Sequence, residues 1–409
     1  MNPEHVKAIN KAFDELRKRQ KGNPLPYSEE RKKILQLTRR KAVLNMELLE
    51  HALEQLKKNG FKVYNVPTKE EANKIVLEYI GSEKIVVKSK SNVTKELELT
   101  RFLEEHGIKV VETDIGDRIL QLLEEKPSHP TGPVTHLSAK EISRRLSHIY
   151  GYTLGDRPEE IIPVILKEIK ESIVASKVAI TGANAICAEE GSIVIVHNEG
   201  NVYEMLRKEK LIVVTSIDKV YPNIEEAINM IKIITHNATG AIVPSFIEII
   251  SGITKTADIE KKFYPGIHSP KEVIVIVVDN KRTEIGKTEK ELLTCIGCGL
   301  CLVDCPAYGT HGLDYGADGV PGGKGVVYMS LYNNVAEKGT AYCLSCMHCV
   351  HNCPLHIDLP GYIRKLRSNG SLRKEFYYFS KSHIQWLYLK MKEIFKLDKK
   401  FDNVFEINE

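Results

Sequence analysis

Apolar residues recur at helical spacing from the start of the chain. Pro3 and Glu4 suit a helix start, and Ala8, Ile9, Ala12, Phe13 and Leu16 follow on one face. The run Lys21-Gly22-Asn23-Pro24-Leu25-Pro26 breaks this helix. Spacing then predicts one longer helix from about Ser28 to Lys58, closed by the Asn59-Gly60 pair. From residue 61 the period changes. Seven Val- and Ile-rich runs show little polar alternation, as expected of strands covered on both faces: Phe61–Val66, Lys84–Ser89, Lys109–Thr113, Val178–Thr181, Ser192–Val196, Leu211–Thr215 and Glu272–Val278. Helical patterns over 69–80, 94–106, 138–150, 158–176 and 223–235 lie between them. Strands alternating with helices predict an α/β architecture with a largely parallel sheet.

After Asp279 the character shifts. Residues 280–294 are charged and read as a link. Residues 295–360 are rich in Cys, Gly and Pro with few β-branched runs. The predicted organisation is an N-terminal helical region over 1–59, an α/β domain over 60–280, a small domain over 281–365 and a tail over 366–409. From Gly361 to Glu409 there are eleven Lys and Arg against six Asp and Glu, so the tail holds the chain's positive excess. It also holds the only Trp, Trp386, near Phe376, Tyr377, Tyr378, Phe379 and Tyr388. A basic, aromatic helix suits a partner, a membrane surface (peripheral contact) or packing on its own protein.

Composition narrows the class. The 409 residues are 42% hydrophobic and 27% charged, which excludes a disordered or collagen-like chain. The longest purely apolar run, Val273 to Val278, is far short of the ~20 residues that a membrane helix needs. The start, Met1-Asn2-Pro3-Glu4-His5, has no apolar signal region. A cytoplasmic location with no transmembrane segment is the expectation. The net charge of +4 is too small to argue for nucleic acid.

The nine cysteines carry the chemistry, because eight of them fall between positions 295 and 353. In a reducing compartment such clustering points to metal or redox chemistry, not disulfides. One quartet is Cys295, Cys298, Cys301 and Cys305 before Pro306. The other is Cys343, Cys346, Cys349 and Cys353 before Pro354. Both are the C-x₂-C-x₂-C-x₃-C-P run of bacterial ferredoxins, which holds 4Fe–4S clusters. Two-residue gaps let a tight loop aim three thiolates at three corners of one cubane. The fourth cysteine begins a helix leading away and reaches the other cluster, with Pro preorganised for the first helical turn. One cluster is then expected on Cys295, Cys298, Cys301 and Cys353, and a second on Cys343, Cys346, Cys349 and Cys305. Zinc also uses C-x₂-C pairs, but seldom this run of four followed by Pro, and almost never twice. Thirty-seven residues between Cys305 and Cys343 leave room for helices and favour a mostly helical two-cluster domain. Two such clusters form a one-electron wire, so a flavin or another two-electron centre is expected beside them, on a partner. No dinucleotide fingerprint or P-loop follows a strand. Gly322-Gly323-Lys324-Gly325 reads as a flexible turn.

Polar motifs of the α/β domain gather at predicted strand ends, where open α/β sheets bind ligands. Lys88, Ser89, Asp114, Asn184, Asn198, Glu199 and Asn201 are the candidate pocket residues, although turn chemistry accounts for any single Gly or Asn among these motifs. His129 and His136 flank Pro130 and Pro133 in what reads as a rigid loop. With Glu189 they are the weak catalytic candidates, a loop His being more often structural than a general base. His348 and His351 lie inside the second quartet and either tune a cluster or are simply exposed. Lys88 and Lys90 suit a carboxylate, but solvated strand ends are the simpler reading. Cys187, outside the quartets, reads as a small buried hydrophobe.

The order of these motifs resembles the iron–sulfur lactate utilization protein B family. The matching residues run from Lys88-Ser89-Lys90-Ser91 through Glu112-Thr113-Asp114, Gly116, Gln121, Pro127-Ser128-His129 and His136. They continue through Thr181-Gly182-Ala183-Asn184, Ala188-Glu189, Gly191, Asn198-Glu199-Gly200-Asn201 and Ala238-Thr239-Gly240 to both quartets. The resemblance implies a LUD domain, like the sugar-phosphate isomerase and coenzyme A transferase folds, joined to a two-cluster ferredoxin domain. It also implies an electron-transfer subunit of a complex oxidising L-lactate, a small 2-hydroxy acid, to pyruvate. The implied partners are a cysteine-rich CCG-type redox subunit and a second LUD protein. Glu190, His197 and Cys187 depart from the family's usual residues, and the C-terminal region looks shorter. Two other readings of the same motifs are an electron module of a heterodisulfide-reductase-like complex and a redox-sensing module.

Overall fold

The computed structural model describes residues 2–317, 319–333 and 338–368. Most of the predicted basic tail, from residue 369 onward, lies outside the described residues. The chain divides into two compact units. The larger comprises Leu16–Glu125 and Ala139–Cys298, and the smaller comprises Met1–Glu15, Lys126–Ser138 and the chain from Gly299 onward.

The larger unit is built on a six-stranded, wholly parallel sheet. Its strands are β1 (Lys62–Val66), β2 (Ile85–Lys88), β3 (Lys109–Glu112), β4 (Val178–Thr181), β7 (Lys210–Ser216) and β12 (Glu272–Val278), in the order β1-β12-β7-β4-β2-β3. The interior strand β12, paired with β1 on one side and β7 on the other, buries every residue from Val273 to Val278, so its continuous apolar run is the sequence form of a strand covered on both faces. Six of the seven predicted strands lie here. Ser192–His197 (β6) does not: it pairs antiparallel with β5 (Ala185–Cys187) and β9 (Phe246–Ile250) in a second sheet, of order β8-β5-β6-β9, where β8 is Val220–Tyr221. The β5 run is only three residues and β9 is half exposed, so neither carried a buried-strand pattern. Residues 255–265 add a short hairpin, β10 (Lys255–Thr256) with β11 (Tyr264–Pro265).

The helices are α1 (Pro3–Gly22), α2 (Ser28–Ala42), α3 (Met46–Lys58), α4 (Lys69–Ile80), α5 (Asn92–Glu96), α6 (Leu99–Glu105), α7 (Ile115–Leu123), α8 (Ala139–Tyr150), α9 (Pro158–Ala175), α10 (Asn201–Met205) and α11 (Ile224–Thr239). Two predicted helices are broken. The expected helix 28–58 splits at Val43-Leu44-Asn45, where Leu44 is left-handed and the Asn45 side chain accepts from the Leu48 N–H, opening α3 as its N-cap. The expected helix 94–106 splits at Leu97-Glu98, with Glu98 at φ +52°. Leu97, Leu99 and Leu103 are all fully buried. A continuous helix would turn residues 97 and 99 to nearly opposite faces, so the break lets both reach the core.

In the smaller unit, α13 (Leu300–Val303), α14 (Pro306–His311), a hairpin of β13 (Gly316–Ala317) with β14 (Val320–Pro321), α15 (Gly322–Asn333), α16 (His348–Asn352) and α17 (Leu359–Ser368) follow α12 (Arg282–Glu289) of the larger unit. The glycine run at 322–325 is not a flexible turn but the first turn of α15. A Cβ on Gly325 would collide with the Val320 carbonyl, so the missing side chain is what lets the helix seat on the hairpin. Cys305 is the N-cap of α14 with Pro306 in the first turn, as the quartet predicts. After Cys353 the expected helix does not form: Pro354 opens a turn and α17 starts at Leu359. Asp358 accepts from the Gly361 N–H, and this later start signal wins. Among the described residues, no helix is long and apolar enough to cross a membrane.

Candidate functional site

Both quartet loops repeat one backbone conformation. In the first, Gly297 and Gly299 take φ +75° and +77°; in the second the equivalent residues, Ser345 and Met347, take φ +53° and +66°. The left-handed turn folds the backbone N–H back on the first cysteine of each run. Gly297 N donates to Cys295 Sγ at 3.4 Å and Ser345 N to Cys343 Sγ at 3.5 Å. Such N–H groups suit thiolates, and holding non-glycine residues in this region costs about 1 kcal/mol each.

The four cysteines expected to share one cluster meet within the smaller unit. Cys305, from the first quartet, lies close enough to Cys343 and Cys346 for their charges to act on it, and Cys349 feels Cys305, Cys343 and Cys346. Burial, with those neighbours, pushes the Cys305 thiol up to about 12. Tyr308 N donates to Cys305 Sγ at 3.5 Å, and the buried Tyr315 hydroxyl hydrogen-bonds Cys343. Arg367 clamps the preceding segment, donating to the carbonyls of Thr340 and Cys343. Cys343 is buried, Cys305 and Cys349 are partly buried and Cys346 is exposed. Four thiols with N–H donors to sulfur fit a 4Fe–4S cubane, which takes one thiolate at each of four iron atoms.

Cys295 and Cys298 belong to the larger unit, and its helices grip them. Arg39 of α2 is fully buried; its Nε donates to the Thr294 carbonyl at 3.0 Å and its Nη2 to the Leu293 carbonyl at 3.1 Å. Its guanidinium lies 4.9 Å from the Tyr221 ring centre. Asn237 of α11 donates to Cys298 Sγ at 3.6 Å. Neither residue stood out in the sequence. The available signal for Arg39 is a lone cation on the stripe Leu35, Thr38, Arg39 and Ala42 that α2 buries.

His129 sits in the smaller unit with both ring nitrogens engaged. The N–H groups of Thr131 and Gly132 donate to Nδ1, each at 3.3 Å, so the proton lies on Nε2, which donates to the Gly299 carbonyl at 3.3 Å. The ring thus holds a quartet residue in place, and neither nitrogen is vacant for a substrate hydroxyl. Within the loop, Ser128 N and Oγ both donate to the Pro133 carbonyl. His136 is fully buried, 5.2 Å from the His5 ring. His348 and His351 are exposed, and His348 Nδ1 lies 3.2 Å from the Asp304 carbonyl.

At the carboxyl edge of the parallel sheet the polar candidates divide. Lys88 is not a solvated strand end. It is 1% exposed and pairs with Glu112 at 2.8 Å. Burial raises the Glu112 carboxyl, with Lys88 opposing. Ser89 hydrogen-bonds Thr181 at 2.7 Å across β2 and β4. Asp114 accepts from the Lys90 N–H at 2.6 Å and from Asn201 Nδ2 at 3.1 Å, and Glu199 accepts from Ile115 N at 2.9 Å. Asp117 pairs with Lys95. Desolvation would lower Lys90, but Asp114, Asp117, Glu199 and Glu112 together hold it above its usual value. Lys88, Ser89, Asp114, Glu199 and Asn201 therefore come together in one network. Asn184 and Asn198 bind distant backbone instead, accepting from the N–H groups of Val196 and Ser245. Glu189 is exposed, its N–H donating to the Pro222 carbonyl. Cys187 is fully buried, and burial pushes its thiol up to about 12, which suits a core residue and not a nucleophile.

Residues 49–278, more than half of the chain, match the LUD domain, and residues 291–357 match the 4Fe–4S dicluster domain. A lactate utilization protein B of Bacillus cereus is 32% identical over 368 residues, covering 87% of this chain and 73% of that protein. The chain belongs to the iron–sulfur lactate utilization protein B family. Another family member, from an Exiguobacterium species, is 34% identical over 328 residues, 77% of this chain and 67% of that protein. An uncharacterized electron transport protein of Escherichia coli, YkgF, is 33% identical over 323 residues, 77% of this chain and 66% of that protein. The chain thus spans between 66% and 73% of the length of these curated relatives. A solved DUF162 family protein from Deinococcus radiodurans aligns at 14% identity over 57% of this chain and 97% of that one, with a TM-score of 0.32. The dicluster match identifies the cysteine-rich region as iron–sulfur binding.

Proposed function

We propose that the chain is an electron-transfer subunit of a complex that oxidises L-lactate, or a related 2-hydroxy acid, to pyruvate. The observation that carries the electron-transfer part is the meeting of Cys305 with Cys343, Cys346 and Cys349, which is the cross-quartet set a two-cluster ferredoxin needs. The substrate rests on the names of the lactate utilization relatives. Bound 4Fe–4S clusters supply one-electron transfer, and the eight quartet cysteines are the ligands of two such clusters. The chain's own residues hold the thiolates in left-handed loops, donate N–H groups to sulfur and cover the site in part. Oxidising lactate releases two electrons and two protons, so a flavin on a partner is the two-electron acceptor. The expected partners are a cysteine-rich CCG-type subunit and a second LUD protein, and the expected location is the cytoplasm.

The test is anaerobic purification of the chain with its partners. About eight iron and eight acid-labile sulfide per chain are expected for two cubanes. Adding L-lactate should bleach the visible cluster absorbance. Clusters that dithionite bleaches but lactate leaves unchanged would refute the substrate. An iron content near four would refute the two-cluster wire.

A further inference from the structure

We propose that Arg39 and Asn237, two side chains of the larger unit, raise the reduction potential of the cluster that Cys295 and Cys298 help to hold. The inference rests on the two-cluster reading and assigns the α/β unit a part in electron transfer beyond folding.

Arg39 places a permanent positive charge at the peptide that carries Cys295. Its Nε and Nη2 are used on the Thr294 and Leu293 carbonyls, but its buried Nη1 has no hydrogen-bond partner among the described residues. A buried donor left without an acceptor costs about 1–3 kcal/mol, and more when it is charged. A cluster's sulfur atoms beside Cys295 are acceptors of the right chemistry for it. Arginine cannot shed its proton to relieve the burial. The side chain is 0% exposed, so solvent does little to screen it. Reducing a cluster adds one negative charge, which a buried cation nearby favours.

Asn237 acts on the ligand itself. It is 93% buried by its 7% exposure, and its amide N–H points at Cys298 Sγ. A hydrogen bond to a ligand sulfur strengthens as the sulfur gains electron density, so it too favours the reduced cluster. Both residues come from helices, α2 and α11, that the sheet unit packs in place. Arg367 occupies a comparable position before Cys343, but it is half-exposed and its charge is better screened.

The test is a redox titration of the full chain, anaerobically loaded with iron and sulfide and followed by electron paramagnetic resonance. In Asn237→Leu, one of the two cluster signals should move to lower potential while the other stays in place. Arg39→Gln should move the same signal in the same direction, and Arg39→Lys, which keeps the charge, should move it less. If Arg39→Gln fails to load iron, Arg39→Lys and Asn237→Leu carry the test. Fully loaded Asn237→Leu protein with both potentials unchanged would overturn the inference. A wild-type chain showing only one cluster would overturn the two-cluster reading instead.

Discussion

Removing the Arg282 side chain should unfold the larger unit at markedly lower temperature. The Arg282 guanidinium closes a buried ion network just before the first quartet. Its Nε meets Asp218 Oδ1 at 2.5 Å, and its Nη1 and Nη2 form a fork on the Glu96 carboxylate at 2.8 and 2.7 Å. Arg282 and Asp218 are almost wholly buried. Burial alone would raise the Asp218 carboxyl, but Arg282, then Lys219 and Arg39, hold it well below the usual carboxylate range. Arg282→Leu leaves that carboxylate buried without its main partner, and breaking a buried pair from one side costs about 3–5 kcal/mol. At about 2–4 °C per kcal/mol for a unit of this size, the melting temperature should fall by roughly 6–20 °C. Far-ultraviolet circular dichroism melts of wild type, Arg282→Leu, Asp218→Asn and the double variant give the measurement. The double variant should recover part of the loss, because it removes the orphaned charge. The sign with pH follows from the depressed carboxyl. The pair's stabilisation is present above the unfolded-state pKa near 4 and is lost as pH falls below it. Wild type should therefore lose stability steeply below about pH 4, and Asp218→Asn should lose less. A drop of under about 2 °C in Arg282→Leu would show that the network adds little and that the reasoning is wrong.

Three further outcomes are expected. Cys305→Ser should remove the signal of the cluster shared with Cys343, Cys346 and Cys349 and leave the other; loss of the other signal alone, by electron paramagnetic resonance, contradicts the cross-quartet ligation. Gly299→Ala should lower iron retention, since a Cβ there would collide with the His129 ring and φ is +77°; Gly107→Ala, at φ +75° in open space, serves as the strain-only control. Equal iron content in the two variants would count against the packing role of His129. Tyr315→Phe removes the hydroxyl on Cys343 and should lower one cluster potential without changing iron content; an unmoved potential rejects a tuning role for it.

The sequence alone determined the class of chemistry and most of the sheet. Ligand spacing is a local property: two-residue gaps and a following Pro act within one loop and one helix start, so the quartets and the α14 cap were legible. Strands buried on both faces write their burial as unbroken Val and Ile, so the six parallel strands were legible too. What the linear pattern lacked was everything set by a neighbour distant in the chain. The break at Glu98 arises because Leu97, Leu99 and Leu103 must all face one core, a demand that no single helix period encodes. Lys88 reads as a surface cation until Glu112, on the adjacent strand, is placed beside it. His129 leaves a general-base role open until its two nitrogens are found on backbone groups at 131, 132 and 299. Arg39 and Asn237 lie more than fifty residues from the cysteines they touch or approach, and nothing local to either announces sulfur. Tertiary structure decided these roles because desolvation and hydrogen bonding depend on who is adjacent in space, and adjacency across the sheet is settled only once the chain is folded.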